Sequence, residues 1–152
     1  MTIKVGINGF GRMGRLVLRA SWHWPEIEFI HINDPAGDAK TLAHLLNYDS
    51  VHGIWQYQAC DKKNEIIIND QKITVSANSD IADTDWSQCD VVIEASGVMK
   101  STEKLQAYLK QGVKRVVVTA PVKEEGILNV VMGVNEQLYQ AEKFPIVTAA
   151  SC

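Results

Sequence analysis

Apolar positions along the chain follow two rhythms. Short continuous runs, Ile3 to Asn8, Glu28 to Asn33, Asp90 to Glu94 and Arg115 to Thr119, carry Val and Ile with little polar alternation. Strands buried on both faces read this way. Between the first runs, residues 10–22 and 38–47 space their apolar residues helically, with Leu42, Leu45 and Leu46 recurring in the second stretch. Trp24-Pro25 ends the first helix, because Pro cannot continue it. Residues 54–60 have the character of a further strand. Glu65-Ile66-Ile67-Ile68 and Lys72-Ile73-Thr74-Val75 flank the polar Asn69-Asp70-Gln71, which predicts a β-hairpin. Ser101 to Lys110 reads as a helix with Ser101 as N-cap, Glu103 in the first turn and Gly112 as stop signal. Strands at 129–132 and 145–148 follow, with a short helix from Asn135 between them. This order predicts an α/β chain with one domain over 1–152. Its sheet is doubly wound and mostly parallel, with an inserted antiparallel hairpin.

The first strand runs straight into Gly9-x-Gly11-x-x-Gly14, and the next apolar strand ends in Asp34, twenty residues after Gly14. A nucleotide pyrophosphate needs that arrangement. Gly9 makes the tight turn, Gly11 lets backbone approach the phosphates, and Gly14 lets the helix pack on the strand. The first helical N–H groups then face an anion. Asp34 can accept hydrogen bonds from the adenosine-ribose hydroxyls and would repel a 2′-phosphate, which points to NAD as cofactor on a Rossmann-type fold. The pattern GxxxxGK[ST] is absent, which argues against a phosphate loop of the ATPase kind.

Composition narrows the partners. A net charge of −3 without a basic stripe gives no support to nucleic-acid binding. No run approaches a membrane span, and the amino terminus reads as a strand rather than a signal peptide. Cys60, Cys89 and Cys152 are three in number and widely spaced, which makes no disulfide framework and fits a cytoplasmic location. Cys89, just before an apolar strand, reads as an inert core-edge thiol, and Cys60 falls in a polar stretch. His23, His31, His44 and His52 show no metal-ligand spacing, so no metal is expected. His52 and Asp49 follow a helix in a short polar segment, where capping and turning are the expected roles.

The stretches IKVGINGFGRMGR, INDP, LAHLLNYDSVHG, DVVIEASGV, VKRVVVTAP, VVMGVNE and IVTAASC run from one end of the chain to the other. In that order they resemble the amino-terminal, NAD-binding half of the phosphorylating glyceraldehyde-3-phosphate dehydrogenase family. The resemblance implies an oxidoreductase of glycolysis and glucose metabolism. Such an enzyme oxidises glyceraldehyde 3-phosphate with NAD and inorganic phosphate to an acyl phosphate through a Cys thioester. It implies Cys152 as the catalytic nucleophile and Ser151 as a ligand of substrate phosphate. It places the pyrophosphate on backbone N–H groups around Gly11, Arg12 and Met13 and the adenosine ribose on Asp34. Ser96 and Gly97 lie beside the phosphate and ribose portion, and Thr119 approaches the nicotinamide side. A homotetramer is implied as the assembly. Erythrose-4-phosphate dehydrogenase shares these motifs and differs mainly in substrate handling.

Two positions depart from the family pattern. Ser79 stands where an Arg borders the adenine, and Ala149 where an Asn precedes the Ser-Cys pair. The chain ends at Thr148-Ala149-Ala150-Ser151-Cys152, directly after an apolar run. This ending and the absence of the family's downstream catalytic His predict that the substrate domain is missing. The 152 residues alone are then expected to be inactive, a catalytically silent nucleotide-binding fragment.

Overall fold

The structure, a computed structural model, describes residues 2–149. Ser151 and Cys152 lie outside the described residues. The chain opens with β1 (Ile3–Asn8), α1 (Arg12–Ser21), β2 (Ile27–Asn33) and α2 (Ala39–Asn47). A two-stranded ribbon follows, β3 (Tyr48–Asp49) with β4 (Gly53–Ile54). Then come β5 (Ala59–Lys62), β6 (Glu65–Ile68), β7 (Gln71–Ser76), β8 (Val91–Glu94) and α3 (Thr102–Lys110). The last strands are β9 (Arg115–Val118), β10 (Leu128–Asn129) and β11 (Ile146–Thr148).

Nine strands form one sheet in the order β10-β11-β9-β8-β1-β2-β7-β6-β5. The pairs from β10 through β7 are parallel, and β5, β6 and β7 pair antiparallel. The expected doubly wound, mixed sheet is therefore present. Its two faces follow from strand alternation. Val5, Ile7, Phe29 and Ile32 bury against Leu18 of α1 and Leu42 and Leu46 of α2. Val92, Val116 and Val118 bury against Leu105 and Tyr108 of α3 and against Trp86. Each fully buried Leu, Ile or Phe contributes roughly 1.5–3 kcal/mol to holding its layer. On the face opposite α3, Val91, Val117, Val130, Phe144, Pro145 and Val147 border an open, largely apolar groove of about 550 Å³.

Several element bounds differ from the sequence expectation, each for a local reason. The first helix starts at Arg12 rather than residue 10, because Gly11 is extended at φ −65°, ψ −161°. The strand expected over 54–60 is split. Asn47 is buried, donates from Nδ2 to the Ala59 carbonyl and accepts from the Ala59 and Trp55 backbones, so the chain detours around it. Trp55 and Tyr57 spend the detour packing edge-on against Trp22. The hairpin turn holds two residues rather than three. Asn69 and Asp70 both adopt positive φ, 47° and 66°, as a type I′ turn requires, and Ile68 pairs directly with Gln71. The strand expected over 129–132 stops at Asn129, because the Asn135 side chain takes the Val131 N–H and donates to the Asn129 carbonyl. The expected short helix after Asn135 is one 3-10 turn, Glu136–Leu138.

Candidate functional site

β1 is the strand at which the winding reverses. The chain passes from β1 to β2 on one side and later returns to β8 on the other. Loops leaving the carboxyl ends of β1 and β8 therefore diverge, and a crevice opens where open α/β sheets take their ligands. The Gly9–Gly14 turn lies at that point.

Gly9 has φ +89°, and a Cβ there would sit 2.4 Å from the Ser96 backbone nitrogen. A Cβ on Gly14 would lie 2.2 Å from the Gly9 carbonyl oxygen. Both glycines are demanded by the protein's own packing. Gly11 is different: a Cβ there meets nothing within 4 Å. Protein packing does not require its smallness, whereas a ligand approaching the backbone would.

The start of α1 points the same way. Asp38 caps α2 by accepting from Thr41 N–H, and Ser101 caps α3 by accepting from Lys104 N–H. Gly11 supplies no side-chain cap to α1, and the first turn of α1 holds no acidic residue. Its leading N–H groups and the positive end of the helix dipole face the crevice, and among the described residues no side chain accepts from them. Gly11, Arg12 and Met13 are exposed there. The donor set suits a pyrophosphate.

Asp34, half-buried at the end of β2, lies across the turn. Its Oδ2 accepts from Phe10 N–H at 2.6 Å and its Oδ1 from Ala36 N–H at 2.8 Å. Each oxygen keeps a further lone pair, enough to accept two ribose hydroxyls. Thr119 follows β9 at the same end of the sheet, with its N–H donating to the Glu94 carbonyl at 3.0 Å.

Ser96 is held inward. Its N–H and its hydroxyl both donate to Glu94 Oε1, at 2.8 and 2.5 Å. Both of its donors are committed, so Ser96 meets the crevice as an acceptor. Gly97 follows at φ +77° and is exposed.

The Arg12 guanidinium turns away from the crevice and forks onto Asp49, at 3.0 and 3.3 Å. Asp49 also accepts the His52 and Val51 backbone N–H groups. These bonds, followed by Arg12, hold its carboxyl down at about 2. The His52 backbone, not its ring, meets Asp49, so the pair turns the chain. Cys89 is buried, which together with Asp90 and Asp85 pushes its thiol up to about 12 and makes it inert. Cys60 is exposed on β5. His31 sits in β2 with its ring nitrogens 2.6 Å from Thr74 Oγ1 and 2.9 Å from Ser76 Oγ, and burial lowers its pKa.

Sequence reasoning missed the buried polar row beneath the crevice: Asn8, Asn33 and Glu94, joined by Tyr108. A signal existed. Three otherwise apolar strands each end in a residue that can only be buried with hydrogen-bond partners.

Comparison with known proteins identifies the family. Residues 3–102 match the family model described as glyceraldehyde 3-phosphate dehydrogenase, NAD binding domain. The chain is 49% identical to glyceraldehyde-3-phosphate dehydrogenase 3 of Nostoc sp., over 100% of the chain and 45% of the relative. It is 42% identical to glyceraldehyde-3-phosphate dehydrogenase 1 of Bacillus subtilis, over the same shares. It is 41% identical to the cytosolic glyceraldehyde-3-phosphate dehydrogenase of Chlamydomonas reinhardtii, over 99% of the chain and 44% of the relative. The chain thus spans somewhat under half the length of these relatives, and it belongs to the glyceraldehyde 3-phosphate dehydrogenase family as an NAD-binding domain.

Proposed function

We propose that the crevice between β1 and β8 holds NAD for the phosphorylating oxidation of glyceraldehyde 3-phosphate. The observation that carries this reading is the uncapped start of α1 beside Gly11, facing Asp34 across the turn. The proposed binding set is Gly9, Gly11, Arg12, Met13 and Gly14, with the backbone N–H groups of Gly11, Arg12 and Met13 at the pyrophosphate. Asp34 takes the adenosine ribose. Ser96 and Gly97 line the middle of the dinucleotide, with Ser96 accepting a ribose hydroxyl, and Thr119 borders the nicotinamide. Bound NAD supplies a hydride acceptor. The chain's residues orient it against the sheet and exclude water from that side.

In the same reading Cys152 is the nucleophile that attacks the aldehyde, and Ser151 binds substrate phosphate. Both lie outside the described residues. Cysteine suits the step because it is a good nucleophile and, from a thioester, a good leaving group toward inorganic phosphate. The family's activating His matches no position in this chain, so turnover needs residues beyond the 152. A cytoplasmic homotetramer completes the proposal. The names of the relatives favour this substrate over erythrose 4-phosphate.

Two measurements test it. Calorimetric titration should show NAD binding more tightly than NADP, because Asp34 would repel a 2′-phosphate by on the order of 1–3 kcal/mol in a partly dry site. Equal or tighter NADP binding overturns the cofactor assignment. NADH formation from glyceraldehyde 3-phosphate, NAD and phosphate should stay at background with the purified chain. Turnover that disappears on Cys152→Ser would show that these residues suffice for catalysis.

A further inference from the structure

Beneath the crevice, three adjacent strands end in one polar rung. Asn8 of β1 stands in register with Asn33 of β2 and with Glu94 of β8. The three are 4%, 2% and 1% exposed. The residues after them form the three loops of the crevice: Gly9, Asp34 and Ala95-Ser96.

The direction of the amide hydrogen bonds in the rung is forced. The Asn78 backbone N–H donates to Asn33 Oδ1 at 2.9 Å, and the Asn78 carbonyl accepts from Asn33 Nδ2 at 2.9 Å. A backbone N–H can only donate and a carbonyl can only accept, so the Asn33 amide has one orientation. Its Nδ2 therefore donates to Asn8 Oδ1 at 2.8 Å. Asn8 must then present Nδ2 to Glu94 Oε2 at 2.8 Å and to the Tyr108 hydroxyl at 2.7 Å. Tyr108 donates onward to Glu94 Oε2 at 2.5 Å. Ser96 N–H and Oγ donate to Glu94 Oε1. Four donors converge on one carboxylate. An acceptor-only group of this length completes the row.

We propose that Glu94 is a positioning residue of the dinucleotide site, whose buried carboxylate sets the polarity of the rung and so fixes the loops after β1, β2 and β8 against one another. The fit between those loops is close, since the space for a Gly9 Cβ is already filled by the Ser96 backbone. A small movement of Ser96 moves Gly9, the first glycine of the turn. The inference rests on the proposal that NAD occupies this crevice.

The test exploits the polarity. Glu94→Gln places an N–H donor where two donors already arrive, or turns that conflict toward Ser96. Asn8→Asp alone sets a second carboxylate against Glu94. The double variant Asn8→Asp, Glu94→Gln reverses the three bonds among positions 8, 94 and 108 and leaves the others satisfied as they stand. The carboxylate introduced on β1 then accepts from Asn33, from Tyr108 and from the amide introduced on β8. The oxygen of that same amide accepts from Ser96. Calorimetric titration with NAD, below the melting temperature of each protein by circular dichroism, reads the result.

Glu94→Gln is expected to weaken NAD binding by about tenfold or more while remaining folded, and the double variant to recover to within about threefold of the unaltered chain. A folded Glu94→Gln protein with unchanged NAD affinity overturns the inference, as does a double variant that binds no better than the single one. Should Glu94→Gln fail to fold, Tyr108→Phe removes one donor and leaves the carboxylate. A loss of about threefold or more supports the inference, and unchanged affinity overturns it. If the unaltered chain fails to bind NAD, the dinucleotide assignment falls and this inference falls with it. Binding by the unaltered chain with an indifferent Glu94→Gln removes only the inference.

Discussion

The three glycines of the turn do three different things, and substitution should separate them. Alanine at Gly9 must adopt φ +89° and meets the Ser96 backbone, which costs on the order of 2 kcal/mol or more. Alanine at Gly14 meets the Gly9 carbonyl and costs a similar amount despite its better helix propensity. Alanine at Gly11 meets open space at an extended backbone, so stability should change by no more than about 0.5 kcal/mol. Its Cβ instead intrudes where a phosphate would approach, and NAD affinity should fall about tenfold. Thermal denaturation and calorimetry on the three variants check this. A Gly11→Ala protein that binds normally would remove the ligand argument for that position. Asp49 makes a second prediction at this scale. Its carboxyl is held at about 2 against an ordinary 3.8, chiefly by the His52 and Val51 N–H groups. A depressed carboxylate pKa contributes stability that is whole above the unfolded value and vanishes as pH falls through the folded one. Acid unfolding between about pH 4 and pH 2 should therefore be shallower in Asp49→Asn than in the unaltered chain. Identical acid profiles would show that the Asp49 bonds do not hold the turn.

At the scale of elements, the sheet is buried on both faces near its centre and on one face toward β9. Val116 is fully buried against α3, whereas Val117 borders the open groove. Val116→Asp should cost on the order of 4 kcal/mol and unfold the chain, because a carboxylate would be buried without a partner. Val117→Asp should cost about 1 kcal/mol or less, and urea denaturation distinguishes the two. Equal costs would contradict the assignment of faces. Element types were legible in the sequence wherever the apolar rhythm was unbroken, as in β1, β2, β8 and β9. They were misread where one side chain captures the backbone: Asn47 divides the strand expected over 54–60, and Asn135 ends the one expected over 129–132. Such captures depend on which residues meet in space, and periodicity carries no trace of them. The candidate site divides in the same way. The glycine turn and Asp34 could be read because their spacing is local. The rung of Asn8, Asn33, Glu94 and Tyr108 spans up to 100 positions along the chain and becomes visible only when the strands lie side by side.

For the whole molecule, winding reversal at β1 brings four separated segments to one crevice above the buried rung, the place proposed for NAD. The segments are the Gly9–Gly14 turn, Asp34, Ser96-Gly97 and Thr119. Sheet topology alone assembles them, since β1 pairs with β2 and β8 on its two sides and β8 carries β9. The most direct measurement is a two-dimensional NMR titration of the isotopically labelled chain with NAD, following every backbone amide. The largest shifts are expected on Gly11 to Gly14, with further shifts at Asp34, Ser96, Gly97 and Thr119, while the β5–β6 hairpin and the far edge at β10 stay unmoved. Shifts confined to the apolar groove on the opposite face, or spread evenly over the sheet without a maximum at the start of α1, would contradict it.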